Sequence, residues 1–148
     1  MRDRVAVELV IADGSGPRRW VGRQSTVEWL PYIPQLQFID ALSRSHAAYL
    51  PVRETGRSAG QMVLVASMEA GLPTLIHPTE SLQPYRGEGI ERVDAVGHPL
   101  DRLIQMADTA EDVRRSIRER WERDFSLCAF SSNILYALGQ MGWPEPTL

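Results

Sequence analysis

The run Val5 to Ala12 (VAVELVIA) constrains the fold more than any other segment. It is β-branched and apolar except for Glu8, so it reads as a strand buried on both faces. That is the pattern of a parallel sheet covered by helices. Asp13-Gly14-Ser15-Gly16-Pro17 follows at once as a turn.

The remaining chain continues the alternation. Arg18 to Gly22 reads as a short helix-like piece, and Thr26 to Leu30 as a second strand. Pro34 to Arg44 reads as a helix with proline in its first turn and Leu36, Ile39 and Leu42 at helical spacing. Ala47 to Leu50 is a third strand, stopped by Pro51. Gly60 to Glu69 is a helix, with Gly71 suited to a left-handed C-terminal cap, and Thr74 to Ile76 is a fourth strand. Pro78 to Gly89 is loop-like, and Ile90 to Val93 is a short fifth strand. Three helices follow: Pro99 to Ala107, Thr109 to about Arg123, and Ser126 to Met141. In the first, Leu100, Leu103, Ile104 and Ala107 share a face. In the last, Leu127, Phe130, Ile134, Leu138 and Met141 form a stripe expected to face the core. The expectation is one α/β domain over residues 1–148, a doubly wound parallel sheet with C-terminal helices at about 99–141.

Composition excludes several chemistries. All 16 cationic residues are arginine, so no lysine Schiff base, lysine general base or P-loop lysine is available. Cys128 is the one cysteine, which excludes an internal disulfide and a multi-cysteine zinc site. A formal charge of −3 argues against a nucleic-acid partner. No apolar run approaches the roughly 20 residues that span a bilayer, so no transmembrane segment is expected. Met1-Arg2-Asp3-Arg4 does not open a signal peptide, and a cytoplasmic location follows as the expectation.

Ligands of such sheets bind beyond the carboxyl ends of the strands. The loops there are Asp13–Pro17, Leu30–Ile33, Pro51–Ala59 and His77–Gly89. Arg53-Glu54-Thr55-Gly56-Arg57-Ser58-Ala59-Gly60-Gln61 leads into a helix N-terminus. Its small residues let a ligand approach the backbone, its free N–H groups suit a phosphate, and Arg53 and Arg57 suit bidentate contacts. From this spacing alone a plain surface loop with an arginine–glutamate pair is the commoner reading. His77 and Glu80 flank a turn after a strand. His98 precedes a helix, and His46 reads as a partly buried, hydrogen-bonded residue beginning a strand. These histidines do not have the spacing of a metal site, and no metal is expected. Cys128 and the four tryptophans read as packing residues. The Arg114–Arg123 run reads as a solvated helix face.

The order of these pieces resembles the C-terminal, donor-binding half of GT-B retaining glycosyltransferases, the glycosyl transferases group 1 (family 4-like). Leu9-Val10-Ile11-Ala12-Asp13-Gly14 resembles that family's "lvivGdG". Val27 to Ile33 resembles "Vxf-x-G-xv", and Leu42 to Pro51 resembles "l..adv.l.P". Ser58 to Ile76 (SAGQMVLVASMEAGLPTLI) is similar to "s-G-q-x-x-LEAMAxGxPVI", and Arg118 to Phe125 weakly to a helix end "rr..e.Fs". The resemblance spans about residues 7–140. It implies a Rossmann-like sheet and a nucleotide-diphosphate sugar as donor substrate, with no further cofactor. Leu30, Pro31 and Tyr32 would meet the base. Arg53, Glu54, Arg57, Ser58, Ala59, Gly60 and Gln61 would meet the diphosphate side. It also implies glycosyl transfer with retention, completed by an acceptor-binding half.

Two departures qualify the resemblance. The family's two donor-contacting glutamates fall on Ser58 and Ala66, and Glu69, three positions on, is expected to face solvent. No catalytic residue is therefore assigned. The family's opening strand and helix, which carry a basic pair including lysine, are missing here. In the family that strand lies between the equivalents of Val5–Ala12 and Ala47–Leu50. The expectation is a half enzyme whose sheet is completed by an acceptor-binding chain or a second copy. The alternative is a non-catalytic nucleotide-binding or assembly module derived from the same fold.

Overall fold

The computed structural model describes residues 7–12, 18–22, 25–30, 33–52, 60–109 and 111–142. The chain divides into two compact units, Met1–Ala41 and Leu42–Leu148.

The first unit holds strands β1 (Val7–Ala12), β2 (Arg18–Val21) and β3 (Ser25–Leu30), in the spatial order β1-β3-β2. β1 runs parallel to β3, from Val7 opposite Ser25 to Ala12 opposite Leu30. β2 is antiparallel to β3, with Arg18 opposite Trp29 and Val21 opposite Thr26. The expected helix-like piece at 18–22 is thus a strand. Trp20 and Val21 suit a pleated surface, and antiparallel pairing of β2 occupies the second edge of β3. The expected wholly parallel sheet is in this part mixed. Among the described residues β1 pairs with β3 alone. Helix α1 (Gln35–Ser43) follows in the chain, and Leu36 and Ile39 on it are exposed.

The second unit is a three-stranded parallel sheet, β4 (Ala48–Leu50), β5 (Thr74–Ile76) and β6 (Ile90–Arg92), ordered β4-β5-β6. Helix α2 (Gln61–Glu69) connects β4 to β5. The connection from β5 to β6 contains a 3₁₀ helix, Glu80–Tyr85, where a loop was expected. Leu82 on it is completely buried, and that burial orders the segment. Helices α3 (Pro99–Ala107), α4 (Glu111–Asp124) and α5 (Leu127–Gln140) complete the unit. The architecture is mixed α/β. No helix among the described residues is long and apolar enough to cross a membrane.

Leu50, Leu64, Met68, Ile76, Leu82, Ile90 and Ile117 form the core, so α2 and α4 share one face of this sheet. Strand alternation sends Leu75, also completely buried, to the other face. Helix α3 contacts β5 and buries Met106, while Leu103, Ile104 and Ala107 are half-buried and Leu100 is exposed.

Two glycines let α4 come close. Gly71 ends α2 in the left-handed region at φ 67°. Its N–H donates to Met68 O at 2.9 Å, and the Leu72 N–H donates to Ser67 O at 2.8 Å. These are the paired bonds of a Schellman cap, with Leu72 buried behind it. A Cβ on Gly71 would stand 2.9 Å from the Arg114 carbonyl oxygen of α4. Gly89, at φ 75°, opens β6 and faces Ile117, whose Cδ1 would lie 2.3 Å from an added Cβ.

The expected core stripe of α5 is not covered. No α5 residue is buried, and Leu127, Phe130 and Met141 are exposed. Cys128, expected to pack, is exposed as well. Helical spacing identifies an apolar face but not the surface that covers it. Ser126 caps α5, its hydroxyl accepting from the Ala129 N–H at 3.1 Å.

Gly89→Ala combines a left-handed backbone with a clash against a core isoleucine. It is expected to cost about 2–4 kcal/mol, read as a lower urea or thermal midpoint. A midpoint unchanged from the parent contradicts the proposed close packing of α4 on β6.

Candidate functional site

Helix α2 lines a concavity in the second unit. Leu64, Ser67 and Met68 face the core, which turns Met62, Ala66 and Glu69 outward at i, i+4 and i+7. Together with Gln61, Val65 and Tyr85 they line a shallow concavity of about 330 Å³. Its floor is apolar, with an amide at one end and a carboxylate at the other. Glu69 is exposed, as expected from its spacing, and it shares this concavity with Ala66.

The N-terminus of α2 opens one end. Gly60 enters the helix at φ 79°, and a Cβ there would meet Val52 Cγ2 at 2.7 Å. Glycine is therefore demanded both by the left-handed backbone and by the close approach of the strand end. The Leu64 N–H makes the first helical bond, to Gly60 O at 2.9 Å. The N–H groups of Gln61, Met62 and Val63 precede it, and no side-chain cap bond is made by Gly60. The Gln61 side-chain amide donates to Ser81 O at 3.0 Å and ties the helix start to the 3₁₀ segment.

Of the other sequence-derived site residues, Leu30 ends β3 in the first unit. Pro31, Tyr32, Arg53, Glu54, Arg57, Ser58 and Ala59 lie outside the described residues. Gln61 is brought together with Met62, Val65, Ala66, Glu69 and Tyr85, which the motif reading did not assign as contacts, and Gly60 precedes it at the helix start. Tyr85 had no periodic signal, because it lies in a proline-containing segment read as loop.

Beyond the carboxyl ends of β4 to β6 the polar groups pair among themselves. The Tyr49 hydroxyl and His77 Nε2 are 2.8 Å apart. Arg92 binds Asp94, and that hydrogen bond holds the Asp94 carboxyl below its ordinary value. Arg102 Nε donates to Glu91 Oε2 at 2.7 Å, and the Glu91 bond raises the Arg102 guanidinium above its ordinary value. His46, expected to be partly buried, is exposed. Among the described residues no group of three or more His, Cys, Asp and Glu is arranged to hold a metal.

The arginines of α4 are not a uniformly solvated face. Arg114 Nη2 donates to His46 O at 2.6 Å. Arg118 pairs with Glu111 at 2.6 Å. Arg120 Nη1 donates to Tyr85 O at 2.8 Å, and its guanidinium lies 5.7 Å from the Phe125 ring centre. Phe125 in turn stacks on Tyr85 at 4.9 Å. The ring that walls the concavity is thus held from behind by α4. Trp121 packs against the core, and its buried Nε1 has no partner.

Comparison of the chain with protein-family models, with curated proteins and with solved structures returns no match.

Arg120→Met removes a charge-assisted bond to a carbonyl and the contact with Phe125. It is expected to lower stability by about 1–2 kcal/mol. Arg123→Met, at an exposed pair with its neighbour Asp124, is expected to cost under about 0.5 kcal/mol. Urea unfolding of both variants checks the difference; equal effects would mean that Arg120 does not brace Tyr85.

Proposed function

We propose that this chain is the nucleotide-sugar-binding part of a GT-B-type glycosyltransferase, with a Rossmann-like doubly wound sheet. It acts with an acceptor-binding half, and the reaction is glycosyl transfer from a nucleotide-diphosphate sugar with retention. The observation that carries the reading is the start of α2. This helix follows the carboxyl end of a parallel strand and opens on a left-handed Gly60, which supplies no side-chain cap to the first-turn N–H groups. A diphosphate suits that electrostatic environment, since the positive end of the helix dipole and the first-turn N–H donors coincide there. Without lysine, the cationic contacts to phosphate fall to Arg53 and Arg57.

Further support comes from the colinear motifs. The segments resembling "lvivGdG" and "Vxf-x-G-xv" include β1 and β3. The segment resembling "LEAMAxGxPVI" includes α2, its Schellman cap and β5. Partnership with another half, or with a second copy completing the sheet, is supported by strand edges. Among the described residues β1 pairs with β3 alone and β4 with β5 alone, so each has an edge able to accept a strand.

A second reading rests on Ala66. The residue in the register of a donor-contacting glutamate is an alanine, and it lies in the concavity. A methyl group accepts no hydrogen bond from a ribose, so this favours a non-catalytic nucleotide-binding or assembly module.

Isothermal titration of the full chain with UDP, GDP and their sugars tests the proposal. A Kd below about 1 mM is expected, weakened about tenfold by Arg57→Ala. No binding at millimolar nucleotide overturns the donor-site reading. Binding without transfer to any acceptor when the other half is supplied favours the second one.

A further inference from the structure

We infer that α5 is a self-association helix, through which two copies of this chain pair antiparallel about a two-fold axis at Ile134. This surface shares no residue with the α2 concavity, and the inference does not depend on a nucleotide-binding function.

The spacing of the stripe carries the inference. Leu127, Phe130, Ile134, Leu138 and Met141 follow one another at intervals of three, four, four and three residues, so they lie on one helical face. The order of intervals reads the same in both directions from Ile134. An antiparallel pair therefore sets Leu127 in a layer with Met141, Phe130 with Leu138, and Ile134 with its own copy. That is the self-complementarity an isologous interface needs. Ser131 and Ala137, three residues to either side of Ile134, are small and exposed, so the two backbones can approach.

Exposure and charge favour the same occupant. Leu127 is 79% exposed, Phe130 59%, Ile134 42% and Met141 73%. No residue of α5 is buried. The helix carries no charged residue, so a second copy meets no like charge, and antiparallel helix dipoles oppose favourably. Leu138, the remaining residue of the stripe, is half-buried.

Sedimentation equilibrium of the full chain between about 1 and 200 µM tests this. The expected mass rises with concentration from 16.7 kDa toward twice that value. Phe130→Glu and Ile134→Glu are each expected to keep the chain at the monomer mass throughout, with the far-UV spectrum retained. Phe130→Ser and Ile134→Ser serve if the charged variants do not fold, and are expected to weaken the dimer at least tenfold. Tyr136→Glu, on the opposite side of the same helix and 71% exposed, is expected to leave the dimer intact. A parent chain that is monomeric at every concentration overturns the inference. So does a dimer that survives the Phe130 and Ile134 substitutions, or one that Tyr136→Glu disrupts equally. A monomer that gains mass only when an acceptor-binding half is added assigns the helix to that partner and overturns it too.

Discussion

The close approach of α4 to the β5–β6 side of the second unit is the contact on which the rest of that unit depends. It exists because two backbone positions carry no Cβ. At Gly71 the chain leaves α2 and turns into β5 beneath the Arg114 carbonyl. At Gly89 it enters β6 against Ile117, which is buried in the same cluster as Leu64, Met68 and Ile76. Both glycines have positive φ, so local backbone geometry and packing demand the same residue. With α4 seated there, its arginines reach the segments on either side. Arg114 meets the strand start at His46, and Arg120 meets the 3₁₀ segment at Tyr85.

The all-arginine composition acquires a structural use in this arrangement. A guanidinium has several donors in a rigid plane, so one group can serve a carbonyl and face a ring together. Arg120 does this with Tyr85 O and Phe125, and so braces the aromatic wall of the α2 concavity. Elsewhere arginines close on carboxylates, Arg92 on Asp94 and Arg102 on Glu91. The candidate site is defined as much by this mutual pairing as by the groups that face it. What remains at α2 is the helix start at Gly60, an apolar floor and the Glu69 carboxylate.

Much of the second unit was legible in sequence, because its signals are local. Gly71 and Leu72-Pro73 mark the end of α2, Ser126 marks the start of α5, and the triplet Thr74-Leu75-Ile76 marks β5. Less of the site was legible. Gly60 and Gln61 followed from a glycine before a helix. Tyr85 joins them only because Leu82 is buried and draws its segment into a 3₁₀ helix. The 18–22 segment misled for the opposite reason. Its four strand residues carry too little periodicity to choose between helix and strand, and pairing with β3 decides.

The sequence by itself determined where helices and strands begin and end over most of the chain, and which chemistry is excluded by the absence of lysine and of a second cysteine. Caps, turns and periodicity act over three or four residues, so they survive without any fold around them. Tertiary structure decided which apolar faces are covered. Ile117 on α4 is buried while the longer apolar stripe of α5 stays exposed. It also decided that β1 and β3 lie in one sheet and β4, β5 and β6 in another. Burial and strand pairing join residues far apart in the chain, and no spacing rule within a segment specifies the surface it will meet.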